Sequence, residues 1–183
     1  MKISRILFAL FCITAIGISG CSTAPEDTEA TVIPVSELNT SIGYSWFQAE
    51  TTVYSTTVDT AKIRLIAAAF QANQQKMYVF VHPSCTCTGT QKTFPHTLEV
   101  LKLAGVPDSM IVVYSMQSSA TKHPMMDRFS LGGLPSFFIT KGTNTVYMMQ
   151  TLNEKLYANV PSPVPVEAGS RSVEDMILDG FTK

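Results

Sequence analysis

The chain has 183 residues, of which 45% are hydrophobic and 15% charged, enough apolar material for one domain with a substantial core. The composition is not that of a disordered chain. The formal net charge is −1, and there is no basic stripe that could neutralise a phosphate backbone, so nothing points to a nucleic-acid partner.

Lys2 and Arg5 precede an apolar run from Ile6 to Ile18, too short to span a bilayer comfortably and patterned as an export signal. The run ends in Ile18-Ser19-Gly20-Cys21, which resembles the lipobox of bacterial lipoproteins. That resemblance implies cleavage before Cys21, lipidation of its thiol, and residence in the cell envelope on a membrane anchor whose strength grows with the buried methylenes. Residues 1–20 are then a signal peptide. Residues 21–41 are a lipidated cysteine and flexible tether, because Ser22 to Thr31 is polar and acidic without apolar periodicity. The folded domain is expected over 42–183.

Ile42 to Tyr54 carries Tyr44, Trp46, Phe47, Val53 and Tyr54 and reads as an early strand. Asp59 is placed to cap a helix whose apolar positions Ile63, Ile66, Ala67 and Phe70 recur at helical spacing. Met77 to Val81 is continuously apolar and rich in β-formers, a buried strand. Cys85-Thr86-Cys87 follows. Thr90 to Ala104 reads as a helix stopped by Gly105, with Pro95 either kinking it or marking a later start.

Met110 to Tyr114 is a second buried strand. Beyond a polar stretch with Lys122, His123 and Pro124, the chain runs through Asp127–Leu134 to Ser136–Thr140 and Thr145–Gln150, a hairpin joined near Gly142 and Asn144. Leu152 to Gly169 holds Pro161, Pro163 and Pro165 and is expected to be an irregular excursion over the surface. Ser172 to Phe181 reads as a closing helix.

Four cysteines are present. Cys12 would leave with the signal and Cys21 would carry lipid, so Cys85 and Cys87 remain as the free thiols. Two thiols at a strand-to-helix turn in an oxidising compartment read as a redox pair, with a thiolate favoured by the helix N-terminus.

From about Ser45 to Phe181 the chain resembles the thioredoxin superfamily. Val79-Phe80-Val81-His82-Pro83-Ser84-Cys85 is similar to the strand leading into that family's active site. Phe129-Ser130-Leu131-Gly132-Gly133-Leu134-Pro135-Ser136-Phe137-Phe138-Ile139 is similar to the segment holding its cis-proline. The resemblance implies an α/β, three-layer fold with a mixed central sheet flanked by helices, including a helix ahead of the proline. It also implies a cis bond at Leu134-Pro135, beside the cysteines, that leaves the Leu134 backbone free to pair with an extended substrate.

The family's Cys-x-x-Cys is here Cys-x-Cys. Counting forward from the strand puts Cys85 at the nucleophile position. Counting back from Pro95 puts Cys87 there and Thr90 where the second cysteine would be. The strand end favours Cys85 as the attacking thiol and Cys87 as the resolving one. A ring one residue smaller than the family's implies a more easily reduced disulfide.

The function expected is an envelope thiol-disulfide oxidoreductase or isomerase acting on exported thiol or disulfide proteins, without a cofactor or resident metal. Two alternatives come from other classes. One is a copper(I) metallochaperone of the same fold using Cys85, Cys87 and a histidine such as His123, since soft thiolates suit Cu(I). The other is a non-catalytic binding module with a surface bridge. His82 lies near the cysteines but reads as an ordinary hydrogen-bonded residue, His96 and His123 have less claim, and most of the nine methionines read as core filler.

Overall fold

Met77, Val79 and Val81 turn to one side of their strand and Tyr78 and Phe80 to the other, and this alternation divides the core in two. The structure, a computed structural model, describes residues 29–152, 155–159, 166–167 and 171–183. Residues 1–28, with the segment read as an export signal and Cys21, lie outside the described residues.

Among the described residues, seven strands form one mixed sheet: β1 (Thr31–Ile33), β2 (Lys76–Val81), β3 (Ile111–Ser115), β4 (Ser136–Lys141), β5 (Asn144–Leu152), β6 (Lys155–Asn159) and β7 (Val166–Glu167). Their order across the sheet is β1-β3-β2-β4-β5-β6-β7. β2 and β3 are parallel, with Val79 opposite Val113, and every other pairing is antiparallel. Both neighbours of β2 are therefore in place, and its row of β-branched and aromatic residues is buried on both faces, as its unbroken apolar run requires.

Four α-helices are described: α1 (Phe47–Ser55), α2 (Thr60–Asn73), α3 (Phe94–Leu103) and α4 (Val173–Phe181). All four bury side chains against the same sheet face. Phe47, Ile66, Phe70, Phe94, Leu101, Ile177 and Phe181 meet Met77, Val79, Val81, Val113, Phe137 and Ile139 there. Local chemistry sets the helix ends. Asp59 Oδ1 accepts from the N–H groups of Ala61 and Lys62 at the start of α2, as its sequence predicts. Ser172 and Asp175 form a reciprocal capping box on α4.

The opposite face carries Tyr78, Phe80, Tyr114, Phe138 and Met148, and is covered by the segment from Met116 to Pro135. Phe129 stacks on Phe138 at 4.4 Å, and Phe80 stacks on Tyr114 at 5.0 Å. The helix expected ahead of Pro135 does not form. This stretch has Ser118 and Ser119, Pro124 and the pair Gly132-Gly133, each of which gives the backbone an alternative to a helix or a penalty within one, and only single turns such as Phe129 N–H to Met125 C=O (2.9 Å) appear. The mixed α/β sheet with helices packed on it is as expected, while its third layer is a helix-free strap.

Three further expectations are corrected. The tether read over 21–41 is too long: Thr31–Ile33 pairs with β3, Leu38 is fully buried, and the Ala30 N–H is held by the Lys122 carbonyl at 2.8 Å, so the domain begins near residue 30 and not at 42. The early strand in 42–54 is a loop followed by α1, because Phe47 and Thr51 bury one helical face against the core despite the segment's β-forming composition. Part of the excursion expected from Leu152 to Gly169 is β6 and β7, with Leu156 and Ala158 reaching the core from the β6 edge.

Candidate functional site

β2 ends at Val81, the chain turns through His82-Pro83-Ser84, and the two cysteines arrive just before helical backbone begins at Thr88. Gly89–Thr93 is a wide π-type turn that runs directly into α3. This resolves the place of Pro95: it falls in the first turn of α3, where a missing N–H costs least, and the wider turn before it absorbs the mismatch.

Cys85 and Cys87 form a disulfide, with Cα atoms 5.3 Å apart, and both residues are half-buried between exposed Ser84, Thr86 and Thr88. Each sulfur has a donor. The Cys87 N–H donates to Cys85 Sγ at 3.2 Å; the hydroxyl of the fully buried Thr90 lies 3.3 Å from Cys87 Sγ, and because a disulfide sulfur carries no proton the hydroxyl is the donor. The Cys87 carbonyl accepts the Gln91 N–H at 3.0 Å, which ties this residue into the first helical turn.

Leu134–Pro135 is a cis peptide. Pro135 is buried against Gly89: a side-chain carbon at Gly89 would lie 2.7 Å from Pro135 Cδ and 2.7 Å from Thr151 Oγ1, so only glycine fits where the proline meets the helix start. The Pro135 carbonyl accepts the Thr151 N–H at 2.9 Å, whereas the backbone of Leu134 enters no hydrogen bond among the described residues. Gln150, buried at the end of β5, holds the approach to this point by accepting from the Gly132 N–H at 3.1 Å and donating to the Ser130 carbonyl at 3.4 Å.

The turn is braced from behind by aromatic rings. Phe94 packs against Tyr44 (6.0 Å) and Phe47 (5.5 Å), and Trp46 lies against both of those. Tyr44 donates to Ser115 Oγ at 3.1 Å, and burial pushes its phenol up to about 12 against the pull of that hydrogen bond, so it stays neutral. Gly43, at φ +86, brings the preceding loop against Pro83 and Ser84, a conformation and closeness that disfavour any side chain.

Glu50 on α1 reaches Lys92 at 2.5 Å and His96 at 2.7 Å, fastening α1 to the helix behind the cysteines. Burial would raise the Glu50 carboxyl, but Lys92 and His96 outweigh it and hold the group below the usual carboxylate range. The His96 ring stacks on Tyr54 at 3.7 Å, a structural position away from sulfur chemistry.

The other histidines are sorted by the same geometry. His82, expected to be an ordinary hydrogen-bonded residue, instead has its Nδ1 buried without a hydrogen-bond partner among the described residues. His123 is buried against Phe80 and Tyr114, its Nδ1 accepts the Met125 N–H at 3.3 Å, and burial lowers its pKa. No three His, Cys, Asp or Glu side chains come together as a metal site among the described residues. No helix among the described residues is long and apolar enough to cross a membrane.

Sequence reasoning singled out Cys85, Cys87, Leu134 and Pro135, and the structure brings the cysteine turn and the proline together through Gly89. It gave no role to Gln150, Gly89 or Glu50. Thr90 was visible only as the residue standing where a second cysteine would in one of the two registers.

These features define a class: an α/β protein with a mixed sheet, bearing a disulfide-forming cysteine pair between strand β2 and the following helix. Comparison of the chain with known protein families, curated proteins and solved structures finds no match.

Proposed function

We propose that the protein is a thiol-disulfide oxidoreductase or isomerase of the cell envelope, held to a membrane by lipid on Cys21 and acting on exported proteins. One observation carries the reading: a half-exposed Cys85–Cys87 disulfide lies at the mouth of a helix, with the Leu134 backbone, unpaired among the described residues, on the strap that packs against the same turn. A thiolate of the reduced pair attacks a substrate disulfide, and the neighbouring thiol resolves the mixed disulfide so formed. The backbone of Leu134 offers an N–H and a C=O for a substrate strand, a sequence-independent grip suited to varied protein substrates. The anchor and location rest on Lys2, Arg5 and the Ile18–Cys21 motif.

Catalysed reduction of a protein disulfide by a dithiol, and reshuffling of a scrambled protein, test the reading. Activity with both substrates that is lost in the Cys85→Ser, Cys87→Ser double variant is the expected result. A wild-type chain no faster than the free dithiol would leave the pair as a surface bridge in a binding module.

A further inference from the structure

We propose that Thr90 makes Cys87 the attacking sulfur, reversing the order read from the strand end; this rests on the thiol-disulfide function above. Thr90 is fully buried, and its hydroxyl lies 3.3 Å from Cys87 Sγ. A helical threonine ordinarily turns its hydroxyl back to a carbonyl of its own helix, as Thr97 does to the Thr93 carbonyl at 2.7 Å on the same helix. Thr90 spends its donor on sulfur instead.

That donor matters most when the bond is broken. A hydrogen bond to an anion is roughly twice as strong as one between neutral groups, and a buried hydroxyl faces little competition from water. Reduction of the pair therefore leaves Cys87 as the sulfur with a dedicated side-chain donor. Helix polarity acts the same way. Its influence is confined to the first turn, to which Cys87 belongs through its carbonyl bond with Gln91, while Cys85 lies two residues outside. The donor to Cys85 Sγ is the Cys87 backbone N–H, which comes with any Cys-x-Cys turn of this shape. Pro135, through Gly89, also meets the chain on the Cys87 side.

The steps balance as follows. The Cys87 thiolate attacks one sulfur of a substrate disulfide; the Cys87–substrate bond forms, the substrate bond breaks, and one substrate thiolate leaves. Cys85, after giving its proton to solvent, attacks Cys87 Sγ; the Cys85–Cys87 bond forms and the second substrate thiolate leaves. Two electrons pass from the protein's dithiol to the substrate, and the reverse sequence oxidises a dithiol.

The experiment is a pH titration of thiolate absorbance and of alkylation rate on the reduced full chain, with Thr90→Val and Thr90→Ser placed in Cys85→Ser and Cys87→Ser backgrounds. In the Cys85→Ser chain, Cys87 is expected to titrate below the free-thiol value of about 8.5. Thr90→Val should cut its alkylation at neutral pH by roughly fivefold, the size expected for loss of one charge-assisted hydrogen bond. Thr90→Ser should restore it, and Thr90→Val should leave Cys85 unchanged in the Cys87→Ser chain.

An unmoved Cys87 titration, or an equal shift at both cysteines, overturns the inference, as does faster reaction of oxidised glutathione with the Cys87→Ser chain than with the Cys85→Ser chain. Because these readouts need no protein substrate, the predicted shifts without disulfide turnover would uphold Thr90's role while defeating the proposed function.

Discussion

Phe137 and Phe138 are neighbours on β4, nearly equally buried, and they inhabit different worlds. Phe137 faces four helices whose side chains interlock over the sheet, two of them, α2 and α4, fixed at their starts by side-chain caps. Phe138 faces a helix-free strap held by ring stacking, Gln150 and scattered turns. The first face makes the domain stable; the second carries the chain to Leu134 and Pro135. A site that must admit a substrate strand needs backbone that is not already paired, and a strap without regular structure leaves it so.

The sharpest probe is the adjacent pair itself. Phe137→Ala is expected to cost about 3–5 kcal/mol in denaturant unfolding, since interlocked helices cannot close the void. Phe138→Ala should cost less, about 2–3 kcal/mol, because the strap can settle into the space. Equal losses at unchanged denaturant slope would erase the distinction between the faces.

Gly89→Ala attacks the junction between strap and cysteine turn. The added carbon must displace Pro135 or Thr151, and exchange with a protein disulfide should fall on the order of tenfold, as small displacements at reacting groups do. Exchange with glutathione, which does not need the Leu134 backbone, should fall much less. A parallel loss in both assays would show that the glycine serves the cysteine turn alone.

Ser172→Ala removes half of the capping box on the helical face. About 1 kcal/mol of stability should be lost with the rate of disulfide exchange intact, and a fall in that rate in the folded variant would couple two regions held here to be separate.

The smallest effect belongs to His123 on the inner side of the strap, which faces Phe80 and Tyr114. Burial lowers its pKa from 6.5, so below that value the unfolded chain takes up a proton that the folded one resists. The stability this contributes is present above pH 6.5 and is lost as pH falls through the folded value. His123→Gln should flatten that part of the stability profile, and an unchanged slope would remove the histidine from the account.

Where periodicity and punctuation agreed, the sequence was readable. The unbroken run of β2, the Asp59 cap, the β4–β5 hairpin and α4 all appear near their expected bounds, because each is set by neighbours in the chain. β1 was lost because three residues carry no pattern and their pairing with β3 is remote in sequence. Tyr44, Trp46 and Phe47 looked like strand residues from composition, yet they are the aromatic brace behind Phe94 and the start of α1, a tertiary demand that overrides β-propensity. The meeting of the cysteine turn with Pro135 was legible through family resemblance. The Thr90 hydroxyl was not, because nothing local says whether a helical threonine bonds to its own backbone or to a sulfur one turn earlier.

The most direct test of the central claim is equilibrium of the full chain with glutathione at a series of redox ratios, with thiols trapped and both cysteines followed by mass. The smaller Cys-x-Cys ring predicts a reversible two-electron couple, with a midpoint clearly more oxidising than the value of about −270 mV for thioredoxin. A disulfide that glutathione cannot open, or a midpoint as low as that of thioredoxin, would contradict it.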